Sequence, residues 1–310
     1  MRAALPAVAS GAGVAQILGP EGRVLVTGRA ARLRRWAASH LGAGRPPRKG
    51  ARPATDLSPV ATAVRFALTT SAFHQRLVFE RLMAEQVPLS ARRDLRAPGY
   101  LHLDPTERFP RLAVRAAASG RAWLFGPFKD RAAAGRARDA LHKRFPLRPC
   151  DYAFEPDPAL PLGLGCVYAQ VRTCAAPCLC RVSEEDYRGL ARSVASFLGE
   201  RSADAEPSLP PWVAAAELSR GLVVEKSRAG FELYPVWNGA VLEEHAVGLA
   251  AAEQAEAALA GLAWVDPSPP RDDTPWLSAW LHAPRRTGHH LVVRDLESLA
   301  ARLRALLDPA

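Results

Sequence analysis

No stretch of these 310 residues approaches the ~18 uninterrupted apolar positions of a membrane span, although 48% of the chain is hydrophobic. Alanine supplies much of that fraction. The opening MRAALPAVASGAG has one arginine and an alanine-rich run shorter and weaker than a signal-peptide core, so export is not expected. The expected location is cytoplasmic, with no membrane partner. Thiols stay reduced there, and grouped cysteines bind metal more often than they form disulfides. No internal repeat is present, which excludes solenoids and propellers. Lysine is scarce: of 41 basic residues only Lys49, Lys129, Lys143 and Lys226 are lysines, so the cationic surface is guanidinium.

What is present is a sharp segregation of charge. The net charge is +10, but residues 1–150 hold 27 Lys+Arg against 9 Asp+Glu, a net of +18. Residues 151–310 hold the remaining 14 against 22, a net of −8. A composition biased to arginine explains Arg over Lys but not this separation. A basic half points to a polyanionic partner, most simply DNA.

Residues 13–28 read as a hairpin around Gly-Pro-Glu-Gly, followed by a helix with arginines on its outer faces over 31–41. A basic Gly/Pro/Arg loop comes next. A helix is expected over 71–86, with Glu80 among apolar neighbours, then strands over 99–104 and 111–117. A helix over 129–145 has Asp130 near its start and Lys143 near its end, matching the helix dipole. Ser183 reads as the N-cap of a helix reaching Leu198, and residues 199–212 as a linker. In the last hundred residues, Asn238-Gly239 fits the type I′ turn of a hairpin, and alanine-rich helices follow.

Cys150, Cys166, Cys174 and Cys178 are spaced C-x15-C-x7-C-x3-C. Four thiolates suit zinc or an iron–sulfur cluster, and the spacing alone does not choose between them. It is not the paired C-x2-C of a zinc ribbon. Buried free thiols are the bland alternative.

The elements LFGPF (124–128), RFPLRPC (144–150), CVYAQVRTCAAPC (166–178) and VSEEDYRGLARSVASFL (182–198) resemble, in order, those of UvrC, the incision subunit of bacterial nucleotide excision repair, and of its shorter relative Cho. FPRL at 109–112 also falls where that family has it. The resemblance implies that Cys150, Cys166, Cys174 and Cys178 ligate a cluster, a four-iron, four-sulfur one by family precedent. Cys180 is the spare. It implies DNA and excision-repair proteins as partners. It also implies a small GIY-YIG-like antiparallel sheet with flanking helices over 1–95 and a cysteine-cluster region with helices over 96–200. With the hairpin and helices of a C-terminal α/β extension of unassigned role over 201–310, an α+β fold in three parts is expected. The family's second nuclease domain has no room in this length, and no helical hairpin for contact with UvrB is apparent.

In the GIY-YIG framework, Gly13, Gly22 and Gly28 stand in their places, but the two motif tyrosines are Ala15 and Val26. The helix arginine falls on Trp36 and the next tyrosine on His40. Glu80 stands where the family has its metal-binding glutamate. Loss of the base and of the arginine would each cost ~10²–10⁴ in rate. Glu80 alone then reads either as a Mg²⁺ ligand or as a helix-face carboxylate paired with an arginine.

Three readings follow. In the first, the domain has lost incision chemistry and binds DNA through Arg29, Arg32, Arg34, Arg35, Arg45, Arg48 and Lys49. In the second, it is a divergent endonuclease in which Glu80 holds Mg²⁺ and His40 serves as a surrogate base. In the third, it is an interaction module whose acidic half docks a basic partner. Convergence of Arg32 or Arg35, His40 and Glu80 on one cleft would favour the enzyme, and an apolar plug of Ala15, Val26 and Trp36 would favour the binder.

Overall fold

The computed structural model describes residues 8–42, 54–92, 95–116, 123–160, 166–200 (side chains to 198), 218, 220–293 and 295–308. The linker expected over 199–212 lies outside them except for its first two residues, which end a helix. The basic loop carrying Arg45, Arg48 and Lys49 also lies outside them.

The first sheet has the order β2–β1–β3, all antiparallel, with β1 at Gly13–Leu18, β2 at Val24–Ala30 and β3 at Ala63–Leu68. Every residue of β1 is buried, as a central strand covered on both faces requires. Strand alternation divides the faces. Ala15, Ile17 and Val26 pack with α1 (Leu33–His40). Thr27 and Arg29 face α2 (Ala72–Gln86), where they meet Gln86 and the Phe79 ring. Ser71 caps α2 by accepting the His74 N–H at 3.1 Å.

The middle region is a sheet of order β5–β4–β6, with β4 at Gly99–Leu103, β5 at Ala113–Arg115 and β6 at Trp123–Phe128. It is covered by α3 (Arg131–Arg144), whose N-cap is Asp130. A short α4 (Val167–Gln170) lies within the cysteine segment. Then α5 (Glu184–Glu200) begins at Ser183, whose Oγ accepts the Asp186 N–H at 3.1 Å. One apolar core joins Leu101, Leu103, Phe128, Leu141, Leu147, Tyr187 and Val194.

The C-terminal sheet is antiparallel throughout, in the order β10–β8–β7–β11 with β9 added on β8. Its strands are β7 (Arg220–Ser227), β8 (Gly230–Trp237), β9 (Ala240–Val241), β10 (Val247–Leu249) and β11 (His289–Val292). The expected turn is present: Asn238 and Gly239 both have positive φ, 46° and 82°, and join β8 to β9. Leu222, Val224 and Leu233 face α6 (Ala255–Ala260) and α8 (Leu296–Leu307).

The opposite face of that sheet, Val223, Tyr234, Val236 and Val241, packs on Phe73 and Leu77 of α2 and on Trp276 and Trp280 of α7 (Thr274–Leu281). Helix α2 is therefore shared, with the first sheet on one side and the third on the other. Phe73 and Leu77 are fully buried, each contributing roughly 1.5–3 kcal/mol of transfer free energy. Acidic groups of the third unit complete the clamp. Glu225 accepts the Phe73 N–H at 3.4 Å, Glu232 accepts from Thr70 at 2.7 Å, and Glu243 meets His74 at 2.9 Å and Arg81. The acidic half thus docks a helix of its own chain. The architecture is the expected mixed α+β, with small antiparallel sheets and helices.

Candidate functional site

On the α1 face of the first sheet, Trp36 belongs to the apolar clusters of both Ala15 and Val26, so the two tyrosine positions of the motif sit under an indole. A Cβ at Gly28 would lie 2.4 Å from the Trp36 ring, so only glycine permits this closure. His40 stacks against Trp36 with ring centroids 4.5 Å apart, and its Nδ1 is 3.0 Å from the Trp36 carbonyl oxygen. The imidazole is thereby engaged with its own helix.

Glu80 lies on a helix that covers the other face. Gln75, Phe79 and Gln86 are the α2 residues that meet the first two strands. At 100° per residue, Glu80 projects with Phe73 and Leu77 away from them. It is 2% exposed, pairs with Arg76 one turn earlier, and accepts from Arg92 at 2.7 Å. Glu80 and His40 therefore do not share a cleft. The arrangement is the arginine-paired carboxylate that was one of the two readings of Glu80. Both partners lay in the sequence, but nothing there showed which side of the helix Glu80 takes.

The cationic residues are placed for solvent. Arg29, Arg32, Arg34 and Arg35 are all exposed. Arg29 lies 4.8 Å over the Phe79 ring, and Arg34 Nε donates to the Val8 carbonyl at 2.9 Å. Sequence reading missed Arg65, exposed on β3, because that strand was not recognised. It also omitted the exposed Arg131, Arg136 and Lys143 of α3, although the helix itself was legible.

The cysteine segment is tied to the middle core by its motif residues. Tyr187 is fully buried, and its hydroxyl accepts the Arg148 N–H at 2.7 Å and donates to the Pro110 carbonyl at 3.1 Å. Arg148 Nε donates to the Phe109 carbonyl at 2.8 Å, and its Nη1 reaches the Tyr152 and Cys150 carbonyls at 2.9 and 3.4 Å. FPRL, FPLRPC and SEEDY therefore form one knot that fixes the chain at Cys150. Further along, the Ala175 N–H donates to the Pro146 carbonyl at 2.7 Å, and the Ala176 N–H points at Cys174 Sγ at 3.3 Å. All five cysteines are free. Cys174 and Cys178 are buried, Cys150 and Cys166 half-buried, and Cys180 exposed.

Burial pushes the Cys174 thiol up to about 11, and the charges of Cys150, Cys166 and Cys178 push the same way. Cys178 is raised too, first by burial and then by Cys166 and Cys150. Four thiols thus share one neighbourhood. Among the described residues, no three His, Cys, Asp or Glu side chains are gathered tightly enough to hold a metal ion. The donor set suits a soft thiophilic centre.

Residues 99–197, the span of this knot and its sheet, match the family described as UvrC/Cho excinuclease, middle domain. Over these residues the chain is similar to the UvrC/Cho family. It is 31% identical over 194 residues to the UvrABC system protein C of Sphingopyxis alaskensis, covering 61% of this chain and 29% of that protein. It is 32% identical over 193 residues to that of Gemmatimonas aurantiaca, covering 59% and 29%, and 28% identical over 233 residues to that of a Ruegeria strain, covering 74% and 35%. It spans about a third of the length of these curated relatives. No solved structure matches it. Among the described residues, no helix is long and apolar enough to cross a membrane.

Proposed function

We propose that this protein is a DNA-binding member of the excision-repair machinery whose GIY-YIG-like sheet grips DNA without cutting it. The observation that carries the reading is the closed α1 face, where Ala15, Val26 and Trp36 fill the positions of proton transfer and charge stabilisation. Phosphodiester cleavage needs a group to activate water, a cation at the developing charge and a carboxylate on a divalent metal. The first two positions are apolar. Glu80 is neutralised by Arg76 and Arg92 on another face. The exposed arginines of the first half supply phosphate contacts, which position DNA without reading its sequence. Excision-repair proteins are the partners this reading implies, in the cytoplasm.

Cys150, Cys166, Cys174 and Cys178 would hold a four-iron, four-sulfur cluster, or zinc in its place. Such a centre supplies a covalent cross-link that pins the segment. The chain's own part is to present four thiols from a loop anchored by Arg148 and Tyr187.

The test is nicking of damaged duplex in Mg²⁺ or Mn²⁺, with and without excision-repair partners. No cleavage is expected. Robust cleavage by the unmodified chain, abolished by Glu80→Gln in a variant that remains folded, would establish the endonuclease instead.

A further inference from the structure

A cleft of about 320 Å³ opens where the middle sheet meets the β8–β9 turn and the start of α7. That is the small end of ligand clefts, ~300–1,000 Å³, and suits one planar ring system rather than an extended cofactor. Its walls are apolar, with Leu89, Leu124, Pro275 and the ring of Tyr100. Tyr100 sits at an irregularity in the β4–β6 register, against Gly126 of LFGPF. A Cβ at Gly126, whose φ is +144°, would come within 2.9 Å of Tyr100 Cδ1, so the motif glycine makes room for this ring.

The polar groups are few and close together. Asp272 is exposed, and its Oδ1 accepts the Thr274 N–H at 2.9 Å, which fixes the carboxylate while leaving lone pairs for a ligand. The Tyr100 hydroxyl meets the Thr274 side chain, and burial with the nearby Asp272 charge raises it to about 12, so it stays a protonated donor. Two arginines adjoin the lining along the chain. Arg96, with a side chain 78% exposed and 3.6 Å from the Asp130 carboxylate, adjoins the lining residue Ala97. Arg115, also exposed, is the cross-strand partner of Tyr100.

An aromatic wall, a small apolar slot, a carboxylate acceptor and two exposed arginines next to lining residues are what a nucleotide presents the complement of. We infer that this cleft receives a single unpaired nucleobase of bound DNA, stacked on Tyr100, with its amino edge toward Asp272. The inference rests on the DNA-binding reading above. Guanine fits best, because its N1–H and N2–H₂ lie side by side and can face one carboxylate together. Thymine fits worst, because carbonyls flank its single N–H. Stacking and edge contacts of this kind are how extruded bases are held.

The experiment measures anisotropy of labelled duplexes that are identical except at one bulged position, guanine or thymine, beside a fully paired control. Wild-type protein should prefer the guanine bulge by at least about fivefold, the lower value of a bidentate base contact. Asp272→Asn should abolish the preference, and Ala116→Phe, which fills the slot from its exposed lining, should do the same. Neither should change affinity for the paired duplex. Ordinary duplex binding with no preference, or an equal preference in all three proteins, removes the slot alone. Failure to bind any duplex removes the DNA reading and this inference with it. Saturation by free deoxyguanosine monophosphate without a preference on DNA would assign the cleft to a free nucleotide and overturn the inference.

Discussion

Arg92 donates to Glu80 at 2.7 Å, and both side chains are nearly sealed from solvent, 6% and 1% exposed. A carboxylate so enclosed is bound into the fold. Removing one member of a buried pair strands the other charge, at a cost of ~3–5 kcal/mol. Glu80→Ala should therefore lower stability by that amount in chemical denaturation, and Glu80→Gln by less. Millimolar Mg²⁺ should not raise the thermal midpoint of the wild type. A Mg²⁺-dependent rise that vanishes in Glu80→Gln would mark Glu80 as a metal ligand after all.

Restoring the missing side chains should not restore incision. Ala15→Tyr, Val26→Tyr and Trp36→Arg rebuild the α1 face, but Glu80 belongs to a helix on the other face and points away from the sheet. The triple variant is expected to show no nicking above background in a plasmid-relaxation assay. Nicking that also requires Glu80 would mean that α2 can rotate.

The cysteines should divide four against one. Serine at Cys150, Cys166, Cys174 or Cys178 should each lower iron or zinc content after oxygen-free purification and destabilise the middle region. Cys180→Ser should do neither, since Cys180 is exposed and lies outside the four-cysteine pattern. Absorption spectra with metal counts decide this, and a metal-free protein of full stability would remove the centre.

DNA affinity should fall steeply with salt, with a log–log slope near −0.9 per phosphate neutralised on duplex. Arg32→Glu with Arg35→Glu should weaken binding to all sequences alike and flatten the slope. Both residues are exposed at the start of α1, so stability should change little. Salt-independent binding would contradict the electrostatic reading.

His290 gives the C-terminal unit an acid limit. Its residue surface is only half-buried, yet Nε2 is closed off, has no hydrogen-bond partner among the described residues and stands against Gly221. Burial, helped by Arg286 and Arg302, lowers its pKa to about 4. The unfolded chain takes up this proton from pH ~6.5, whereas the folded one resists until about 4. Stability is therefore intact above that window and declines as pH falls through it, by roughly 2–3 kcal/mol. Urea midpoints across the range should show the decline in the wild type and lose most of it in His290→Gln.

Local structure was legible where a few neighbouring residues decide it. Ser71, Asp130 and Ser183 start their helices as read, because a side-chain oxygen and an N–H two or three residues on need nothing distant. Asn238-Gly239 turned the chain as read, because positive φ at both positions is a local preference. The family motifs were legible in order, but not that Tyr187, Arg148 and Phe109 tie them into one knot. The strands β3, β6 and β11 were not recognised, since each is defined by a ladder to a distant partner rather than by its own pattern. Strand β7 was also missed, although it pairs with β8 across the two-residue turn Arg228-Ala229.

The sequence by itself determined the charge segregation, the elements with local caps, the grouped thiols and the replacement of tyrosine and arginine by Ala15, Val26 and Trp36. Tertiary structure alone decided what each helix faces. It made α2 a shared wall between two sheets and turned Glu80 from the candidate site into a double arginine pair. It also brought Tyr100 and Asp272 to one cleft. The physical reason is that helix periodicity fixes which side chains share a side, while the side that turns inward is chosen by apolar surface contributed from far along the chain. Here Tyr234, Trp276 and Trp280 claim Phe73 and Leu77, and Glu80 turns with them.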